Sequence, residues 1–199
     1  MSSRRFDALV VGAGPAGSIA ALVLARAGAR VALLDKARFP RDKACGDFIG
    51  PRGLQLLSDL GVAEPPGLDV GDMVVVGPTG RRVVLPCFDG TTYPGRARSV
   101  TRMVFDDALR AAALAAGAEG YDGRADRPLP AEGPGAGVAG IDGFSVEDRE
   151  LRADFVIGAD GATSHVAQSA GLVDDPRVLW GFALRCYLEQ RVALPAITL

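Results

Sequence analysis

The chain has 199 residues, a formal net charge of −2, 48% apolar residues and 23% charged residues. That length suits one or two domains with a real core, and the balance excludes wholesale disorder and leaves no basic excess for nucleic acid. Three scattered cysteines (Cys45, Cys87 and Cys186) and one histidine, His165, argue against a disulfide framework, a His-based metal cluster and a Ser-His-Asp triad, so no metal site is assigned.

The uncharged run 8–25 follows Arg4 and Arg5 and could be mistaken for a signal or spanning segment. Gly12, Gly14, Pro15 and Gly17 would break an apolar helix there, and Asp7 interrupts the basic flank. The run instead divides into parts. Residues 6–11 read as a buried strand of the parallel kind, 12–17 as a tight turn, and 18–27 as a helix ended by Gly28. A second strand, 30–34, closes on Asp35.

A polar loop covers 36–47. A helix is expected over 51–60, stopped by Gly61, then a Pro- and Gly-bearing linker over 64–71. Residues 73–76 and 81–85 read as a hairpin, with another strand within 93–100. Thr101 can cap a helix over 102–116, ended by Gly117, with Asp106 and Asp107 in its first turns where negative charge suits the dipole. Residues 120–137 read as loop. Short strands are expected at 138–141 and 144–146, and a strong one at 151–157 that runs into 158–164. A short helix over 165–170 and a strand over 180–188 follow. There is no internal repeat.

Two motifs carry the chemistry. Gly12-x-Gly14-x-x-Gly17 follows a strand, opens a helix, and has an acid, Asp35, 18 residues after its last glycine. That is the dinucleotide fingerprint in its proper setting. Gly12 permits the turn, Gly14 lets a pyrophosphate approach, and Gly17 allows close helix–strand packing. The backbone of Pro15, Ala16 and Gly17 starts the helix whose N-terminus faces the phosphates. Asp35, with Lys36 beside it, stands where ribose hydroxyls of the adenosine half would bind. This motif alone does not choose between NAD and FAD. The second motif is the strand–turn 153–164, which contains Asp160-Gly161.

That strand–turn resembles the Asp-Gly motif of FAD-dependent monooxygenases and their reductase relatives. Pro40-Arg41-x-Lys43-x-Cys45-Gly46 resembles a stretch of the geranylgeranyl reductase family. Arg102-x-x-Phe105-Asp106-x-x-Leu109 and Trp180-Gly181-x-Ala183-x-Arg185-x-Tyr187 resemble two further segments of that family. The resemblance implies an α/β flavoprotein: a Rossmann-like FAD-binding domain with a parallel sheet, plus the beginning of a β-rich substrate domain. The first would comprise 1–70 and 100–179, and the second 71–99 and 180–199.

By the same resemblance, Arg41, Cys45, Gly46, Asp47 and Arg102 lie around the flavin with Asp160 and Gly161. Cys45 and Gly46 are the catalytic candidates, and Arg185 and Tyr187 the substrate-binding ones. Nothing in the sequence marks Cys45 as an activated thiol, so a nucleophilic duty is not assigned. His165 is read as structural. Relatives often carry Ser-x-Val-Arg after the Asp-Gly turn, whereas this chain has Ser164-His165-Val166-Ala167, which removes one cationic contact.

The implied activity is reduction of carbon–carbon double bonds in a prenyl chain of a lipid or quinone, with FAD as cofactor and NAD(P)H as reductant. A cytoplasmic enzyme that touches the membrane peripherally would suit such substrates. An aromatic hydroxylase on the same scaffold is the first alternative, although the W-x-W-x-I-P pattern of flavin halogenases is absent. The second is an inactive fragment or a nucleotide-binding module. Relatives continue into a second Gly-Asp motif that closes the flavin site. No such motif follows Tyr187, so the chain is expected to be the N-terminal portion of a longer enzyme.

Overall fold

The structure is a computed structural model, and it describes residues 4–88, 90, 93–131, 140–173, 177–187, 189 and 197–198. In chain order the elements are β1 (Arg4–Val11), α1 (Pro15–Arg26), β2 (Val31–Asp35), β3 (Phe48–Ile49), α2 (Pro51–Asp59), β4 (Leu68–Val70), β5 (Met73–Val76) and β6 (Arg82–Leu85). Then come β7 (Ala97–Ser99), α3 (Arg102–Ala115), β8 (Glu119–Asp122), β9 (Pro128–Pro130), β10 (Ile141–Val146), β11 (Arg149–Gly158), α4 (His165–Ser169) and β12 (Ile197–Thr198). The chain divides into two compact units, Met1–Arg41 with Asp106–Gly181, and Asp42–Phe105 with Phe182–Leu199. Residues 42–70 and 100–105, grouped with the cofactor domain on sequence grounds, thus fall within the second unit, and 180–181 within the first.

The first unit is built on a six-stranded sheet of order β8-β2-β1-β11-β10-β9. β8, β2, β1 and β11 run parallel, and β10 pairs antiparallel with both β11 and β9. The apolar runs at 8–11 of β1 and 31–34 of β2 suit central strands covered on both faces, and Val31–Asp35 is buried throughout. α1 presents Gly17, Ser18, Ala21 and Leu22 as its buried face, the i, i+4 stripe expected of a packed helix. Phe6, Leu9, Leu34, Phe144 and Leu151 form the core of this unit. The mixed α/β class and the mostly parallel sheet are those expected from the sequence.

The second unit carries two three-stranded sheets, β12-β5-β6 and β3-β7-β4. The β5–β6 hairpin forms where the turn residues 77–80 place it. Ile49, Leu54 and Val100 make a small core with Phe105 packed against it. Among the described residues, no helix is long and apolar enough to cross a membrane.

Several elements differ from expectation. α1 begins at Pro15, a turn earlier than Ser18, because Pro is pre-organised for a helix's first position. β8 and β9 occupy part of the expected loop over 120–137. Both are sheet-edge strands of three or four residues, and β9 holds Pro128 and Pro130, which only an edge tolerates. β4 lies within the expected linker over 64–71. β10 merges what reads as two short strands; residues 138–139 of the first lie outside the described residues.

The expected strand over 180–188 does not form. Residues 180–187 have no regular structure, and Leu188 lies outside the described residues. Phe182 and Leu184, which the alternation would have buried, are almost fully exposed. Arg185 and Tyr187 are instead anchored by their side chains to residues 42–47.

Candidate cofactor site

Two turns meet at the carboxyl ends of adjacent parallel strands, where ligands of open α/β sheets bind. β1 ends at Val11 beside Gly158, the end of β11. Ala159 N–H donates to the Val11 carbonyl at 2.7 Å, and Gly12 N–H donates to the Leu34 carbonyl at 2.7 Å. The glycine turn is thereby laced to the strand on either side of it.

The glycines are required by the chain's own backbone. Gly12 has φ +103°, and a Cβ there would lie 2.3 Å from the Ala159 carbonyl oxygen. A Cβ on Gly17 would lie 1.8 Å from the Gly12 carbonyl oxygen. α1 therefore starts hard against the turn. Gly14 is its N-cap, in an extended conformation that makes no side-chain cap, and its first turn holds no acid. The positive end of a twelve-residue helix is left without a side-chain anion of its own. Ser18 is fully buried yet satisfied, since its hydroxyl donates to the Ala13 carbonyl at 3.0 Å. This cradle, with positions a Cβ would fill and an uncapped helix start, fits the pyrophosphate of a dinucleotide.

Asp35 closes β2 and is 8% exposed. Its Oδ2 accepts the Ala13 N–H at 2.8 Å and its Oδ1 accepts the Ala37 N–H at 2.9 Å. The acid therefore ties the glycine turn to β2, in addition to any ribose contact. Lys36 beside it is exposed. Arg41 Nη2 lies 3.9 Å from Asp35 Oδ2, and Arg41 Nη1 lies 2.9 Å from Asp106 Oδ2. The guanidinium also sits 4.8 Å from the Phe39 ring centroid.

Asp106 is fully buried and no acid lies in the first turn of α3, so the dipole expected to favour Asp106 and Asp107 does not account for its place. The buried face of α3 is Asp106, Leu109 and Ala113. An acid at i on an i, i+3, i+7 apolar stripe was a legible sign that it needed an internal partner.

The Asp-Gly turn is held by its own acid. Asp160 accepts the Ser164 hydroxyl with Oδ1, and the N–H groups of His165 and Val166 with Oδ2 at 2.7 and 3.2 Å. Ser164 Oγ accepts the Ala167 N–H at 3.0 Å. The carboxylate thus caps α4, and the backbone of Ala159 and Asp160 is what lies beside Gly12. His165 packs on Phe144, and its Nε2 lies 2.8 Å from the Asp126 carbonyl oxygen, in keeping with a structural role.

In the second unit the remaining candidates gather around Asp47, a buried acid at φ +53°. Its carboxylate accepts the Tyr187 hydroxyl, the Arg185 guanidinium at 3.4 Å, and the Arg102 N–H at 3.3 Å. Its backbone carbonyl accepts Val100 N–H at 2.9 Å. Arg185 also donates to Asp42 and to the Lys43 carbonyl, and stacks on the Tyr187 ring at 4.6 Å. The hydrogen bond to Asp47 holds the Tyr187 phenol above its ordinary pKa, and the bond from Arg185 holds Asp42 below the usual carboxylate range. Cys45 is half-buried with a free thiol, and Gly46 is exposed. Arg185 and Tyr187, expected as substrate contacts, both bind the loop that carries Cys45.

The model of an FAD binding domain matches residues 5–177. The menaquinone reductase of Mycolicibacterium smegmatis is 36% identical over 98% of this chain and 47% of its own length. The geranylgeranyl diphosphate reductase of Rhodobacter capsulatus is 38% identical over 87% of this chain and 42% of its own. The chain spans less than half the length of these curated relatives. Among solved structures, a geranylgeranyl bacteriochlorophyll reductase-like protein from Thermoplasma acidophilum superposes with a TM-score of 0.66 at 23% identity, over 80% of this chain and 40% of the other, a likeness of fold. With the glycine cradle and the Asp-Gly turn at adjacent strand ends, the match over residues 5–177 establishes that the chain belongs to the FAD-binding domain family.

Proposed function

We propose that this chain forms the FAD-binding part of a reductase that saturates carbon–carbon double bonds in a prenyl chain of a lipid or quinone. NAD(P)H is the proposed reductant, and contact with a membrane surface is the proposed route to such substrates. The observation that carries the cofactor assignment is the glycine turn 12–17 packed against the backbone of Ala159 and Asp160 at the ends of β1 and β11. The names of the two relatives, a menaquinone reductase and a geranylgeranyl diphosphate reductase, support the substrate class.

In this reading the N–H groups at the start of α1 hold the pyrophosphate, with Gly14 leaving room for it. Asp35 takes the adenosine ribose hydroxyls on lone pairs not used by Ala13 and Ala37. Asp160 and Gly161 present backbone to the nucleotide. When bound, FAD supplies the hydride chemistry, and the protein supplies position and electrostatics. Arg41, Lys36, Cys45, Gly46 and Arg102 are the further proposed cofactor contacts. Cys45 and Gly46 are proposed next to the reacting centre, and Arg185 and Tyr187 on the substrate. Tyr187, held protonated by Asp47, offers a neutral phenol well past neutral pH.

The test is anaerobic oxidation of NAD(P)H by the FAD-loaded protein in the presence of a polyprenyl quinone or a geranylgeranyl lipid. The expected product gains two mass units per double bond reduced. Oxygen-dependent NAD(P)H consumption with incorporation of an oxygen atom would replace this reading with the hydroxylase one.

A further inference from the structure

We infer that Asp106 is a positioning residue for the cofactor site, acting on Asp35 through Arg41. The inference rests on the FAD reading above and adds to it a residue that touches no ligand. Three charges stand in a row inside the first unit. Asp106 Oδ2 lies 2.9 Å from Arg41 Nη1, Arg41 Nη2 lies 3.9 Å from Asp35 Oδ2, and that same oxygen accepts the Ala13 N–H at 2.8 Å. The side chains of Asp106, Asp35 and Arg41 are 0, 9 and 15% exposed. Water screens these charges poorly at such depth, so each one's position depends on the others.

The distances are unequal in an informative way. The guanidinium is a rigid plane held against the Phe39 ring, and it leans to Asp106. Arg41 Nη1 is buried and makes no well-angled hydrogen bond, so its contact with Asp106 is an ion pair and not a directed bond. At 3.9 Å the other end of the fork stops short of hydrogen-bond range to Asp35. Arg41 thus compensates the charge of Asp35 without occupying its lone pairs. Those lone pairs stay available for the Ala13 N–H and for sugar hydroxyls. Asp106 is what holds the guanidinium back.

Removing that hold has a defined consequence. In Asp106→Asn, Asp35 becomes the nearest remaining carboxylate, and Arg41 closes onto it in a direct, charge-assisted pair. The pair competes with the Ala13 N–H and with the ribose. FAD affinity is expected to fall by about tenfold, since a hydrogen bond to a charged group is weakened and not abolished. In the apoprotein, the amide proton of Ala13 is expected to move upfield as its acceptor is drawn away.

The deciding experiment is a double-mutant cycle read by quenching of FAD fluorescence, with the Ala13 amide followed by NMR. If Asp106 acts through Arg41, then Asp106→Asn has no further effect on FAD affinity in an Arg41→Met background. A residue that merely stabilises the fold would weaken binding in both backgrounds alike. Arg41→Met and Arg41→Met/Asp106→Asn decide the matter even if Asp106→Asn alone does not fold, because the double variant removes both charges together. Equal affinities for those two support the inference, and a further loss in the double variant overturns it. A wild-type affinity and an unmoved Ala13 amide in Asp106→Asn overturn it while leaving the cofactor assignment standing. A wild-type protein that takes up no FAD overturns both.

Discussion

A Cβ on Gly12 or Gly17 would overlap backbone atoms of the first unit, whereas a Cβ on Gly46 in the second unit would meet nothing within 4 Å. The turns around Gly12 and Asp160 pack main chain against main chain, with hydrogen bonds from Gly12 and Ala159 to neighbouring strand ends, and two carboxylates, Asp35 and Asp160, hold their N–H groups. The loop 42–47 is shaped by side chains: Asp47 gathers Tyr187, Arg185 and the Arg102 N–H, and Asp42 takes the other arm of Arg185. Such a site tolerates no added atom at its glycines and depends on few side chains, here the carboxylates of Asp35 and Asp160. A side-chain-made site behaves in the opposite way. Substitutions at the two places should therefore fail differently.

The largest effect is expected at Gly17. Gly17→Val places a branched side chain where the Gly12 carbonyl already stands, so α1 must leave the turn or the turn must leave β1. Overpacking of this kind costs about 3 kcal/mol or more. The expected result is a large drop in the thermal midpoint, with flavin lost as a consequence. A melting curve equal to wild type would mean that the turn and helix are not in contact as described.

Next in size is Asp35→Ala. It removes two charge-assisted bonds to N–H groups at once, those of Ala13 and Ala37, together with the proposed ribose contact. A bond of this kind contributes about 1.5–3 kcal/mol, so FAD affinity should fall by one to two decades. Unchanged affinity by fluorescence titration would leave Asp35 with the loop-holding role alone.

A smaller, pH-dependent effect belongs to the second unit. Tyr187 has its pKa raised, chiefly by the hydrogen bond to Asp47. The folded form keeps the proton better than the unfolded chain does. Stability from this bond is fully present below the ordinary phenol pKa of about 10 and is lost as pH rises through the higher folded value. Asp47→Asn should move the Tyr187 ionisation, followed by ultraviolet absorbance, down towards the ordinary value. An unmoved ionisation would show that the phenol is not bonded to Asp47.

The same contrast explains what the sequence disclosed. Backbone-made features are written in glycine and in apolar runs, so β1, the Gly12 turn, α1 and β2 were all legible, as was the strand leading to Asp160. Edge strands β8 and β9 were not, because an edge carries little apolar alternation and admits Pro128 and Pro130. Side-chain-made features depend on partners far away in sequence. Nothing local says that Arg185 will reach Asp42, and the alternation at 180–187 imitates a strand that does not form. Asp106 lies between these cases. Its burial could be read from the helix stripe, but its partner Arg41 could not.

The smallest structural effect should fall at Gly46, and it is the most discriminating. Its surroundings leave room for a methyl group, and its φ is not in the left-handed region, so the chain's own packing places no demand for glycine there. Gly46→Ala should therefore leave stability within about 0.5 kcal/mol of wild type. If loop 42–47 does lie against a planar ring, as the family resemblance implies for Cys45 and Gly46, the added methyl acts only on the bound cofactor. The expected result is an unchanged thermal midpoint, a shifted flavin absorbance band and a turnover reduced several-fold. Cys45→Ser in the same assay should shift the band while keeping most turnover, because shape is retained and no nucleophile is lost. A Gly46→Ala protein with wild-type spectrum and wild-type turnover would remove this loop from the flavin site and leave the cofactor to the backbone-made turns of the first unit.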